Sequence, residues 1–90
     1  MSKKNAGFHI VMEEAYTCEE DRKYGIALGA KTTIYGEEWV TWAFTEYADG
    51  DCDYYWGHYF NDPLGENIVA ATKNYHERLA KAYDRLLGGE

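Results

Sequence analysis

Between residues 8 and 60 the chain repeatedly alternates apolar and polar positions with a period of two. Phe8, Ile10 and Met12 alternate with His9, Val11 and Glu13, the pattern of a strand with one face toward a core. A charged connection, 17–23, leads to a second segment, 23–31. There Tyr24, Ile26 and Leu28 occupy one face and Gly25, Ala27 and Gly29 the other. The second face is almost bare, so a neighbouring aromatic ring can lie flat across it. Gly36 marks a turn. A third strand follows over 38–47, where Val40, Trp42 and Phe44 alternate with Trp39, Thr41, Ala43, Thr45 and Tyr47. Ala48-Asp49-Gly50 supplies turn chemistry, and 54–60 returns as a fourth strand. A three-residue loop ending at Gly50 sets Trp42 opposite Trp56 and Phe44 opposite Tyr54. A two-residue turn moves the register by one, sets Ala43 opposite Trp56 and exchanges the faces.

The period then changes. Asn61-Asp62-Pro63 ends the sheet, with Pro63 a good first helical residue. Ile68, Thr72, Tyr75, Leu79, Ala82, Tyr83 and Leu86 recur at helical spacing and form one apolar stripe. Lys73, Glu77, Arg78, Lys81, Asp84 and Arg85 are expected on the opposite side, and Gly88-Gly89 as the C-terminal cap. The expected fold is α+β: a four-stranded, mainly antiparallel sheet with one C-terminal helix across one face. Residues 1–6 are expected to fray, and 1–90 to form one domain, since 90 residues leave no room for a second core.

One helix covers one face of such a sheet, which leaves the aromatics of the other face to be explained. In the three-residue-loop register these are Trp39, Tyr47, Tyr55 and Tyr59. An exposed aromatic patch on a small protein marks an interface, although tyrosines paired across strands with their hydroxyls in water need no partner.

Composition sharpens this picture. Nine Tyr, three Trp and three Phe supply the apolar area that a disordered chain lacks. The formal charge is -7, and residues 37–62 hold Glu37, Glu38, Glu46, Asp49, Asp51, Asp53 and Asp62 without one Lys or Arg. Such a segment repels phosphate backbones, which disfavours direct nucleic-acid binding. The start, MSKKNAG, has no apolar run behind it, and no stretch approaches the ~20 apolar residues of a membrane helix. The expectation is a cytoplasmic protein away from membranes. Cys18 and Cys52 do not make a secreted disulfide framework, and spacing leaves open whether they bridge.

The sequence holds no recognisable catalytic or metal-ligating constellation, and the expectation is no enzyme, no metal and no cofactor. The sole serine is Ser2. Cys52 and His58, six residues apart on one strand, stand about 20 Å from each other if extended. Cys18 approaches His9 only if the chain folds back. No Cys-x-x-Cys or His-x-x-x-His spacing exists. Asp49, Asp51 and Asp53 imitate the start of a calcium loop, but Tyr54 stands at the sixth position in place of glycine and Phe60 at the twelfth in place of glutamate. The Gly25–Lys31 run lacks P-loop spacing. His76 is a boundary residue of the helix.

The block WVTWAFTEYADGDCDYYWGHYF, followed by KNYHERLAKAYDRL, resembles small acidic orphan proteins of phages and mobile genetic elements over roughly residues 38–86. That group includes anti-CRISPR and other anti-defence inhibitors. The resemblance implies a non-enzymatic inhibitor that occupies the functional surface of a host protein, such as a nucleic-acid-binding one. Spaced carboxylates can substitute for phosphates, and rings for bases. The residues expected to bind the partner are Trp39, Glu46, Tyr47, Asp49, Asp51, Asp53, Tyr55 and Tyr59. Two alternatives stand beside this one. The first is a module that sequesters a nucleotide or other planar ligand between Trp39, Trp42 and Trp56 and the bare Gly25–Gly29 face. The second is a homodimer through the aromatic face.

Overall fold

The period-two segments pair as an antiparallel meander. The computed structural model describes residues 3–88, with elements β1 (Lys4–Asn5), β2 (Phe8–Glu19), β3 (Arg22–Thr33), β4 (Gly36–Tyr47), β5 (Cys52–Phe60) and α1 (Asn67–Gly88). One sheet holds the strands in sequence order. The class is α+β with a C-terminal helix packed on an antiparallel sheet, as expected, but the sheet has five strands rather than four.

The additional strand, β1, falls where fraying was expected. Lys4 pairs with His9 and Asn5 with Phe8. Ala6 and Gly7 form the connection at φ of 52° and 85°, the two positive angles of a tight hairpin turn that matches strand twist. Two further contacts tie the segment down. The Ile10 amide donates to the Lys3 carbonyl at 2.9 Å, and Lys3 Nζ donates to Glu13 Oε2 at 2.7 Å. Met1 and Ser2 lie outside the described residues.

Both faces of the sheet are filled. On the helix side, Ile26, Leu28 and Ala43 pack against Ala71, Tyr75 and Leu79, with Tyr16, Trp39, Tyr55 and Phe60 at the margin. The opposite face carries Phe8, Ala27, Val40, Trp42 and Phe44, all buried, with Ile10 and Tyr54 beside them. Among the described residues no second layer covers this cluster; the sheet covers it by coiling. Ring centroids of Phe8 on β2 and Tyr59 on β5 approach to 5.9 Å, and Tyr54 on β5 donates to Glu13 on β2 at 3.3 Å. Irregular register in β2, between Ile10 and Met12 and between Ala15 and Thr17, adds twist to that edge.

The bare face of β3 serves this closure. A side chain at Gly25 would collide with the Phe44 ring, 2.6 Å away, and one at Gly29 with the edge of Trp42, 2.9 Å away. The rings therefore lie where the sequence pattern left space for them. That arrangement fills the gap on which the planar-ligand reading relied.

The helix begins at Asn67, not at Pro63. Asn67 closes the preceding loop: its Oδ1 accepts from the Asp62 amide at 3.2 Å and its Nδ2 donates to the Asp62 carbonyl at 3.0 Å. These bonds hold the chain in a loop that a helix starting at Pro63 would break. Ala71, Tyr75, Leu79 and Ala82 are buried, whereas Ile68 and Leu86 are half exposed. Arg78 faces the sheet, against the expectation that it lies on the polar side. Its Nη1 donates to the Thr41 carbonyl at 3.1 Å and to Thr41 Oγ1 at 3.0 Å. Gly88 is the last helical residue; Gly89 lies outside the described residues.

Candidate interaction surfaces

The β4–β5 hairpin folds in the three-residue-loop register. Tyr47 N donates to the Asp51 carbonyl at 2.8 Å, and Phe44 stands opposite Tyr54. Asp49 Oδ1 accepts from the Asp51 amide at 3.0 Å, and Gly50 takes φ of 93°. The tip therefore presents Asp49 and Asp51 to water on a constrained turn. Asp53 accepts from the Tyr47 hydroxyl at 2.9 Å, a bond that raises the Tyr47 pKa because it favours the protonated phenol. Glu46 lies on the coiled face, 3.8 Å from Lys3 Nζ, where part of its charge is compensated.

Register then breaks. Thr41 pairs with His58 and Ala43 with Tyr55, so Trp42 faces the bulge at Trp56–Gly57 instead of a single residue. This insertion reverses the facing of His58, Tyr59 and Phe60, while the helix packs on the face of β4 that carries Trp39, Ala43 and Tyr47. Trp39, Tyr47 and Tyr55 lie on the helix side, not on the uncovered side expected for them. Tyr55 packs against the helix-side core and its hydroxyl meets Thr45 Oγ1 at 2.7 Å. Trp39 Nε1 donates to Glu37 Oε1 at 3.2 Å. Tyr59 alone of the four stays on the other face, half exposed beside Phe8.

Cys52 and His58 also part company, to opposite faces. Cys52 Sγ sits 3.8 Å from Glu46 and 4.0 Å from Lys3, and burial pushes its pKa up. A raised pKa leaves the thiol protonated at neutral pH. Both cysteines are free. His58 Nδ1 lies 3.3 Å from Asn74 Oδ1, which also accepts from the Thr41 hydroxyl at 2.6 Å. Through Thr41 this chain reaches Arg78. Burial pulls the Arg78 pKa down. The network satisfies polar groups between helix and sheet, where unpaired ones would be costly.

The fold adds carboxylates that sequence reasoning missed. In a meander, alternate turns fall at the same end of the sheet, so the β2–β3 turn joins the β4–β5 turn. Residues 18–23 and 46–48 line a recess of ≈ 240 Å³ between them. Glu19, Glu20 and Asp21 thus stand at the end that carries Asp49, Asp51 and Asp53. Arg22 is 4.0 Å from Asp21 and lies over the Tyr47 ring at 5.2 Å. Among the described residues no other ion pair reaches these six acids. The charged connection read in TCEEDRK carried the signal; the meander order supplies its neighbour.

Trp56 was expected as a cross-strand partner and, in the planar-ligand alternative, as one of three clustered indoles. It is 74% exposed and holds φ of 55°, a left-handed conformation unusual for a bulky residue. Its ring meets Tyr55 edge-on at 5.1 Å. The strain predicts an inverted ranking: Trp56→Gly should be more stable than Trp56→Ala by about 1 kcal/mol, because only glycine accepts the angle without a Cβ clash. Urea unfolding of both variants checks this, and equal midpoints would show that the bulge relaxes.

No helix of the described residues is long and apolar enough to cross a membrane. In comparisons with known proteins, no family model, curated relative or solved structure matches this chain.

Proposed function

We propose that this protein is a non-enzymatic binding protein that occupies a basic surface of a host protein with its acidic end. The observation that carries the reading is the placement of two acidic turns, Glu19–Asp21 and Asp49–Asp53, at one end of the sheet, with Arg22 as the one ion-pairing partner of their carboxylates within the described residues. Clustered like charge at constrained turns costs self-repulsion and gives a field that steers a cationic partner. A groove built for phosphates offers such a surface, and the resemblance to inhibitors of mobile elements points the same way. In this reading Asp49, Asp51 and Asp53 make the direct contacts, Glu19 and Glu20 extend them, and Tyr47 braces Asp53. Trp39 and Tyr55 act indirectly, by holding β4 and β5 against the helix.

The tagged protein and its Asp49→Lys/Asp51→Lys/Asp53→Lys variant serve as parallel baits in host lysate at low and high ionic strength. A partner captured by the parent alone, and released by salt, is the expected result. Equal capture by both baits, or none by either, would overturn the reading. These positions are exposed or solvent-facing, so circular dichroism of the variant should match the parent.

A further inference from the structure

The end of the sheet opposite the acidic turns carries three of the four most exposed large apolar residues of the described chain. Leu64 is 97% exposed, Ile34 91% and Tyr35 86%. They come from two separate loops, the β3–β4 turn and the β5–α1 connection, which face one another across a cleft of ≈ 310 Å³. Tyr35, Trp39, Pro63 and Ile68 form its apolar wall, while Glu37, Glu38, Asp62 and Glu66 contribute carboxylates. Ile34 and Leu64 stand at the rim, each adjacent in sequence to lining residues.

Both loops are held in place. Thr33 Oγ1 donates to the Gly36 carbonyl at 2.9 Å and accepts from the Tyr35 amide at 3.1 Å. Asp62 Oδ1 accepts from the Leu64 amide at 2.9 Å. Ile34, Tyr35 and Leu64 are thus presented to water by ordered backbone. Turn positions ordinarily take Gly, Asn, Asp or Ser, so apolar side chains here need another reason. Adjacent exposed apolar residues with polar neighbours form the surface expected of a protein contact.

Charge decides the occupant. Among the described residues the one ion pair made by the lining carboxylates is Lys31 to Glu38, at 3.9 Å. The remaining acids leave the cleft negative, beside the aromatic side chains of Trp39 and Tyr35. We infer that this cleft docks a basic peptide segment of a partner protein, one in which Arg or Lys alternates with aliphatic residues. The cationic side chain enters between the carboxylates and the aromatic wall, where ion pairing and cation–π attraction act together. The flanking aliphatic residues rest on Leu64 and Ile34. The site is independent of the acidic end, which needs only a basic surface.

The test uses the full chain, isotope-labelled, and two blocked synthetic peptides: one alternating leucine with arginine, the other serine with arginine. The leucine–arginine peptide should shift the amide signals of Tyr35, Leu64 and Glu66 and the Trp39 indole signal, and bind about tenfold more tightly than its serine counterpart. Leu64→Ser should remove about the same factor without unfolding the protein, because the side chain is almost wholly in water. Asp49→Lys/Asp51→Lys/Asp53→Lys should leave cleft binding in place, so failure of the acidic-end reading does not carry over. Equal binding of both peptides, shifts confined to residues 19–21 and 49–53, or no shifts would overturn the inference. So would a dimer in sedimentation that Leu64→Ser dissolves, since the surface would then belong to a second copy.

Discussion

Trp42→Ala is expected to destabilise the protein by about 4 kcal/mol, the cost of emptying a large aromatic site in a core that cannot collapse. For a chain of this size that corresponds to a fall in Tm of about 20 °C. The reason lies in what surrounds the ring. Phe8 meets it edge-on at 5.6 Å and Tyr54 lies tilted against it at 5.5 Å, and Gly29 lies beneath it. Phe8 comes from β2 and Tyr54 from β5, strands separated by two others in the sheet. Removing Trp42 therefore takes away the body on which both edges close, along with aromatic pairs worth about 0.5–1.5 kcal/mol each. Thermal unfolding followed by circular dichroism measures the loss. A drop of only a few degrees would mean that the coiled face is held by backbone twist and not by its rings. Tyr59→Ala, at the rim and half exposed, should cost far less and serves as the comparison.

The alternation of apolar and polar residues carried most of the sheet, and Ala48-Asp49-Gly50 carried the hairpin register as far as Tyr54. What alternation cannot express is a change of phase. One inserted residue near Trp56 moves Tyr55 and Tyr59 to opposite faces, and only Gly57 hints at it. The two-residue strand β1 is too short to show any period, so Lys4–Asn5 read as a loose start. Period two also distinguishes two faces without saying that both are buried. The clue was the row Gly25, Ala27, Gly29, which is space reserved for rings from β4. On the helix, spacing from Ala71 through Tyr75 to Ala82 places Arg78 on the inner side; its charge argued otherwise, and the Thr41 hydrogen bonds account for the exception. At the candidate site, Asp49, Asp51 and Asp53 were legible as an exposed turn. Their neighbours Glu19–Asp21 were not, because which turns share an end is a property of strand order.

The filled second face changes where function can reside. An open aromatic sheet would bind a partner or a second copy by its broad surface. Here Trp42 and Phe44 are buried, so the surfaces left open are the ends of the sheet, its edges at β5 and at β2 beyond β1, and the outer side of the helix. The β5 edge is interrupted by the Trp56 bulge, a device that discourages strand-to-strand pairing. The β2 edge, the outer side of the helix and the two ends remain; one end carries carboxylates beside Arg22 and Lys23, the other carboxylates framed with apolar side chains. In the proposed reading, that difference in chemistry suits the two ends to different partners, or to two regions of one partner.

Glycine at position 25 holds the closure together as firmly as Trp42 does, and Gly25→Ala is expected to cost about 3 kcal/mol, at the upper end of overpacking penalties. The added methyl would press on Phe44 Cε2 and Cζ and on the carbonyl oxygen of Glu14. The ring cannot swing away without losing Tyr54, 5.8 Å off, and the carbonyl belongs to the neighbouring strand, so relief requires moving β2 from β3. Gly29→Ala should be milder. Its closest contacts are side-chain atoms, Trp42 Cζ3 at 2.9 Å and Val40 Cγ1 at 3.2 Å, which can shift by tenths of an ångström. The two positions should also couple differently to the ring above them. In the Trp42→Ala background the Gly29→Ala methyl meets a cavity in place of an indole, so its penalty should fall, with Val40 Cγ1 at 3.2 Å and the His9 carbonyl at 3.3 Å left as its close contacts. Gly25→Ala should keep its penalty there, since Phe44 and Glu14 are unchanged. A double-mutant cycle by urea unfolding reads these couplings directly. Additive behaviour for Gly29 and Trp42 would show that the ring does not lie across that glycine in solution.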